Sequence, residues 1–273
     1  MTDRARPGCS SRRLPWPPRP PRIQPFPLLQ AGPTVTPILA FALATIPDVA
    51  GIRTLYGFAA DIADSDVAEF ALQRQRARSG EDGMPLHLQR IVAVSWTLRL
   101  GDEITCHSGG DADEAALLQA LFAQVAQHAP CVTSWSGAAF ALPLLRYRAL
   151  INGITLPPHW FAEGTAQSGL AALPYATIPL DDMARLCGFP ALPVVAGGNP
   201  WEAYRAGRLG EIQARCDIEA MATYLLFQRD RLVQGTLDAA DYRDAVAQAR
   251  GWVGQQAAPH WRDFLAAWPP TEG

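Results

Sequence analysis

Ile38-Leu-Ala-Phe-Ala-Leu-Ala-Thr-Ile-Pro47 is a run of small and branched apolar residues that closes on a proline. Both faces of a central strand meet packed layers, so such a strand loses the polar/apolar alternation of a half-exposed one. The run therefore predicts a fully buried strand of about seven residues, stopped by Pro47. Upstream arginines and an Ala-x-Ala ending also suit a secretory signal. The apolar run is too short for that, and the proline-rich stretch before it too long.

Working upstream, residues 1–37 hold ten prolines, including Pro15-Trp-Pro-Pro-Arg-Pro-Pro21. Such a stretch cannot build a core, so a disordered or locally polyproline II tail is expected over 1–37, with a single folded domain over 38–270. The tail reads as an idle or artefactual leader, or else as an SH3-type ligand or a basic tether. The same 37 residues carry six arginines against Asp3, a charge of +5. Because the whole chain is −3, the remainder carries −8. A globular part this acidic makes a poor general partner for a phosphate backbone, which is held largely by charge neutralisation. All 23 basic residues are arginine. With the many Ala, Pro and Gly residues, that pattern reads as nucleotide composition rather than arginine chemistry.

Working downstream, Ile91–Leu100 and Glu103–His107 read as paired strands, and Cys131–Trp135 as a third short buried one. Asp111-Ala-Asp-Glu114 reads as a capping box opening a helix to about Gln127, with Leu117, Leu118, Leu121 and Val125 on one face. A helix is expected from Phe140 to Ile151, with Pro143 in its first turn, followed by an irregular stretch over Leu156–Ala176. Short helices at Pro179–Leu186 and Pro200–Ala206, a long one at Leu209–Val233, and two more near Ala239–Gly251 and His260–Ala267 complete the chain. Strands first and helices later indicate an α/β domain with a helical C-terminal half.

The five cysteines stand far apart with no CxxC pair, and the five histidines show no ligand spacing. A zinc site or disulfide framework is not expected, and a reducing cytoplasm is the default compartment. No segment approaches the roughly 18 apolar residues of a membrane span.

Several stretches in order resemble one family. Phe41-Ala-Leu-Ala-Thr-Ile-Pro-Asp48 stands where that family reads Phe-Asp-Ile-Glu-Thr-Val-Pro-Asp. Trp135-Ser-Gly-Ala-Ala-Phe-Ala-Leu-Pro143 stands where it reads close to Phe-Asn-Gly-Arg-x-Phe-Asp-Leu-Pro. Arg215-Cys-Asp-Ile-Glu-Ala-Met-Ala-Thr-Tyr224 stands where it reads close to Tyr-Cys-Glu-x-Asp-Val-Leu-Asn-Thr-Tyr. Leu180–Pro190 is similar to its Leu-Asp-Glu helix, and His87–Ser95 to its second strand. Together they resemble bacterial 3′-5′ exonucleases related to the exonuclease domain of family B DNA polymerases. The resemblance implies a ribonuclease H-like mixed sheet flanked by helices.

Two-metal phosphodiester hydrolysis needs two divalent cations about 3.5–4 Å apart, and four carboxylates balance their charge. The resemblance places those carboxylates at Ala42, Ala44, Ala141 and Glu219, so three of the four are methyl groups. Ala42 and Ala44 are two apart on a strand and share a face, the right disposition for a metal pair without its ligands. Arg215 stands where the family has the tyrosine that helps position the attacking water, and Ser136 where it has an asparagine. The neighbouring Asp217 lies about 200° around a helix from Glu219, so it does not replace a ligand.

The resemblance thus implies an exonuclease frame with most metal-binding acids replaced, catalytically inactive and keeping at most nucleic-acid or protein binding. No cofactor is expected; Mg or Mn is the metal if any activity remains. Two other readings stay open: a weak metal-dependent 3′-5′ exonuclease relying on Glu219 and Asp217, and an interaction scaffold with no nucleic-acid role. Ser136, Phe140 and Arg146 are the candidate contacts to a single-stranded 3′ end. Against them stand core packing for Trp135 and Phe140, and a solvated helix face for Arg146 and Arg148. Protein partners are not legible in the sequence.

Overall fold

The computed structural model describes residues 36–80, 83–110, 113–157, 160, 170–172, 178–195 and 198–269. The tail expected over 1–37 falls almost wholly outside these residues.

Strand β1 (Ile38–Pro47) lies at the centre of a five-stranded mixed sheet of order β3-β2-β1-β4-β5. It pairs antiparallel with β2 (Gln89–Leu100), which pairs antiparallel with β3 (Glu103–Gly110). On its other side β1 runs parallel to β4 (Cys131–Ser134), and β4 parallel to β5 (Leu170–Ala172). This is a mixed sheet flanked by helices, the architecture that the resemblance implies.

The buried character of β1 follows from its two coverings. Leu39 and Phe41 join a core with Leu117, Leu118 and Leu121 of α3 (Glu114–His128) and Leu144 and Leu145 of α4 (Leu142–Asn152). Ile38 and Ala40 face the long helix α7 (Leu209–Val233), packing with Ile218, Met221 and Leu225. Ala42 follows on that face with Cys216 and Ala220. Ala42 and Ala44 therefore share the α7 side of the sheet, as period-two geometry requires. The strand is ten residues long rather than seven, with a register shift between Ala44 and Thr45, and Pro47 is its last paired residue. A proline is tolerated there because the strand ends and no further ladder donor is needed.

Two helices follow that were not anticipated: α1 (Val49–Tyr56) and α2 (Asp64–Ser79). Helix α2 buries only Val67, Ala68 and Ala71, so it shows little of the apolar stripe that marks a helix in sequence. Strand β5 lies inside the stretch expected to be irregular; three residues are too few to show a period.

Beyond β5 come α5 (Leu180–Leu186), α6 (Pro200–Arg205), α7, α8 (Ala239–Gly254) and α9 (Pro259–Ala267). These reproduce the expected helical C-terminal half. Among the described residues, no helix is long and apolar enough to cross a membrane.

The start of α3 differs from the expected capping box. Asp111 lies outside the described residues, and Asp113 is the cap, its carboxylate accepting from the Ala116 amide at 3.2 Å. Glu114 opens the helix and turns inward, where it is 5% exposed. Its carboxylate takes Arg148 Nε at 2.8 Å and Nη2 at 2.5 Å, and accepts from the Ile91 amide at 2.7 Å. The same guanidinium donates through Nη1 to Asp48 at 2.7 Å, while Asp48 also caps α1 by accepting from the Gly51 amide.

Arg148, 3% exposed, is therefore neither solvated nor turned to a phosphate; it clamps the end of β1, the start of α3 and α4 together. Burial by itself would lower its pKa, but the hydrogen bonds to Glu114 and Asp48 outweigh that and hold it above its ordinary value.

Candidate functional site

Residues 137–141 form a wide helical turn before α4, with the Phe140 and Ala141 amides both bonded to the Ser136 carbonyl at 2.9 and 3.3 Å. The helix expected from Phe140 thus begins at Leu142, and the wide turn carries Phe140 and Ala141 toward β1. Across from them, α7 brings Glu219 and Thr223, one turn apart, over the same strand.

The result is a pocket of about 140 Å³ whose lining includes Ala42, Ser136, Phe140, Ala141, Glu219 and Thr223. Six of the positions singled out in the sequence meet here: Ala42, Trp135, Ser136, Phe140, Ala141 and Glu219. Ala44 does not line the pocket; it packs against the apolar cluster of Ile46, Val92 and Cys216 further along the sheet. Arg146 stands exposed on α4, away from the lining. Trp135 lines the pocket from the core under α7; it is 8% exposed and donates its indole N–H to the Ile178 carbonyl at 2.8 Å. Phe140 is half-buried against the α3/α4 core while still reaching the pocket. Ser134 and Thr223 add hydroxyls that sequence reasoning missed, because short polar residues on a buried strand or helix carry no motif.

The one carboxylate of this lining has a partner. Arg215 Nε donates to Glu219 Oε1 at 2.8 Å across one helical turn, and its Nη1 donates to the Pro193 carbonyl at 2.9 Å. Desolvation pushes the Glu219 carboxyl above the usual carboxylate range, only partly countered by Arg215. Asp217, two residues earlier, faces elsewhere: it accepts from Ser95 Oγ at 2.5 Å and lies 3.2 Å from His260 Nε2 of α9. It therefore does not join Glu219 as a ligand. Asp181 is likewise engaged, accepting from the Leu192 amide at 2.7 Å.

Two divalent cations need a set of oxygens carrying matching negative charge. The described lining offers two methyl groups, three hydroxyls and one carboxylate already joined to a guanidinium, and that set does not fit. Among the described residues, no group of three or more His, Cys, Asp or Glu is arranged to hold a metal. Burial pushes the Cys106 thiol up to about 12 and the Cys216 thiol well above its ordinary value, so neither of these two is poised for chemistry.

The raised Glu219 has a signed consequence for stability. Between the ordinary carboxylate value and its folded value, the folded state holds a proton that the unfolded state has released. Stability from this group is thus present below the unfolded value and lost as pH rises through the folded one. Glu219→Gln is expected to flatten that fall. Denaturant titrations of both proteins from pH 4 to 7 check it, and identical profiles would count against the assignment.

No curated protein matches the sequence. Among solved structures, the chain is similar to the family B DNA polymerase from the hyperthermophilic archaeon Pyrobaculum calidifontis, at 12% identity and a TM-score of 0.47. The match covers 72% of this chain and 24% of the polymerase, so the chain spans about a quarter of that protein. A family model described as "predicted 3′-5′ exonuclease related to the exonuclease domain of PolB" matches residues 81–170 and 166–268. Those residues contain the wide turn, α4 and the whole of α7, while β1 with Ala42 and Ala44 lies upstream of them. By that match, the chain belongs to the family of predicted 3′-5′ exonucleases related to the PolB exonuclease domain.

Proposed function

We propose that this chain is a catalytically silent member of its family, retaining the exonuclease frame and a reduced pocket that holds at most a nucleic-acid end. The observation that supports this reading most directly is the Arg215–Glu219 pair at 2.8 Å. A guanidinium meets the remaining carboxylate, and methyl groups fill the positions the resemblance assigns to two other ligands. Without bound cations nothing offsets the charge that develops on a phosphodiester during hydrolysis, usually a dominant part of its catalysis. The pocket's hydroxyls and the half-buried Phe140 remain suited to hydrogen bonding and to packing against a sugar or base. With −8 on the chain beyond residue 37, nucleic-acid binding at this pocket would be weak and strongly weakened by salt.

The test uses the full chain with a 5′-labelled single-stranded DNA or RNA and Mg²⁺ or Mn²⁺. The expected result is no product ladder above background at enzyme excess. A ladder that appears with metal and disappears in Glu219→Gln would instead establish the weak exonuclease. Anisotropy of the same oligonucleotides then separates a silent binder from a scaffold: the binder shows a salt-dependent rise, the scaffold none.

A further inference from the structure

A second cavity, of about 320 Å³, opens where β1 ends, and it shares no lining residue with the Glu219 pocket. Its walls include Pro47, Arg53, Asp64, Arg90, Trp201 and Tyr204. The volume falls at the low end of the roughly 300–1,000 Å³ typical of small-molecule sites, which pair apolar walls with a few placed polar groups. Helix α6 supplies Trp201 and Tyr204 as nearly parallel rings, 6.4 Å apart and inclined by 13°. Both are half-buried, so each still presents surface to the cavity.

The charges in this cavity are unequally satisfied. Arg53 is spent on the Ala59 and Ile62 carbonyls and on Asp64, 2.8 Å away. Asp48 is held by Arg148 and by the α1 amide. Arg90 is different. It donates to the Tyr204 hydroxyl at 2.8 Å and lies over that ring at 5.5 Å, and no carboxylate among the described residues pairs with it. The cavity thus combines flat aromatic walls with one positive charge that lacks a counter-ion. A neutral phenol hydroxyl leaves most of that charge available to an incoming anion.

We propose that this cavity binds a planar aromatic ring carrying an anionic group, phosphate or carboxylate, with the ring against Trp201 and Tyr204 and the anion on Arg90. The observation behind it is the coincidence of stacked rings and an uncompensated arginine in one cavity. It stands apart from the reading of the Glu219 pocket, and either can fail without the other.

Isothermal titration calorimetry on the full chain tests it, with adenosine 5′-monophosphate and 2-naphthoate as probes and adenosine and 2-naphthamide as their neutral counterparts. At least one anion is expected to bind saturably, roughly tenfold or more tighter than its neutral counterpart, as a charge-assisted contact implies. If only the nucleotide does so, the anion is a phosphate; if only 2-naphthoate does so, it is a carboxylate. Arg90→Met is expected to remove that difference, Arg90→Lys to keep part of it, and Trp201→Ala to weaken both members of a pair. The lysine variant keeps a donor for Tyr204, so a loss seen with methionine is not simply a loosened helix. No saturable binding of either anion at millimolar concentration overturns the proposal. Binding unchanged in Arg90→Met and Trp201→Ala overturns it equally.

Discussion

Arg148→Met is expected to destabilise the protein by about 3–5 kcal/mol, the range seen when one partner of a buried ion pair is removed. Methionine keeps much of the side-chain volume and adds no polar atom, so the loss reads the charge rather than a cavity. Two carboxylates would be stranded. Glu114 would keep the Ile91 amide and the Asn152 side chain, and Asp48 the Gly51 amide, but neither would keep a cation. Equilibrium urea unfolding measures the loss directly. A loss below about 1 kcal/mol would mean water reaches the site, and the clamp would then be no stronger than a surface pair.

The second large effect concerns the positions that the resemblance assigns to metal ligands. In the double variant Ala42→Asp, Ala141→Asp, two carboxylates would enter a pocket that already holds Glu219. Ala42 is 8% exposed and Ala141 2%. Uncompensated, the added acids should lower stability by at least about 3 kcal/mol at neutral pH, from desolvation and like-charge repulsion. If these positions are the inherited ligand sites, Mn²⁺ should reverse much of that. A cation at a hundred times its dissociation constant adds about 2.7 kcal/mol to the folded state. For a chain of this size that is a rise of about 5–10 °C in melting temperature. The parent should show no such rise. Equal behaviour of both proteins with Mn²⁺ would remove the positional assignment, whatever the nuclease assay gives.

Much of the frame was legible because it rests on local pattern. The apolar run at 38–46, the Leu117/Leu118/Leu121/Val125 face and the long 209–233 helix each declare themselves within one element. So did the sharing of one face by Ala42 and Ala44, which needs only the two-residue period of a strand. What escaped was tertiary or too short. Arg148 meets partners 34 and 100 residues away, and nothing beside it in sequence distinguishes it from the exposed Arg146. Helix α2 buries three small or medium side chains and leaves its long ones outside, so its face has no visible periodicity. At the pocket, Arg215 and Glu219 were each marked by the resemblance. Their pairing was written only as an i, i+4 spacing, easily passed over once both were read as relics.

That pairing has a meaning for the chain's dependence on its surroundings. A pocket of four carboxylates is self-repelling until cations arrive, so its integrity follows the supply of divalent metal. Here the counter-ion is a side chain, translated with the protein and present in fixed ratio. The balance of charge at Glu219 is therefore indifferent to chelators, to metal starvation and to the moment after synthesis when no cation has yet been found.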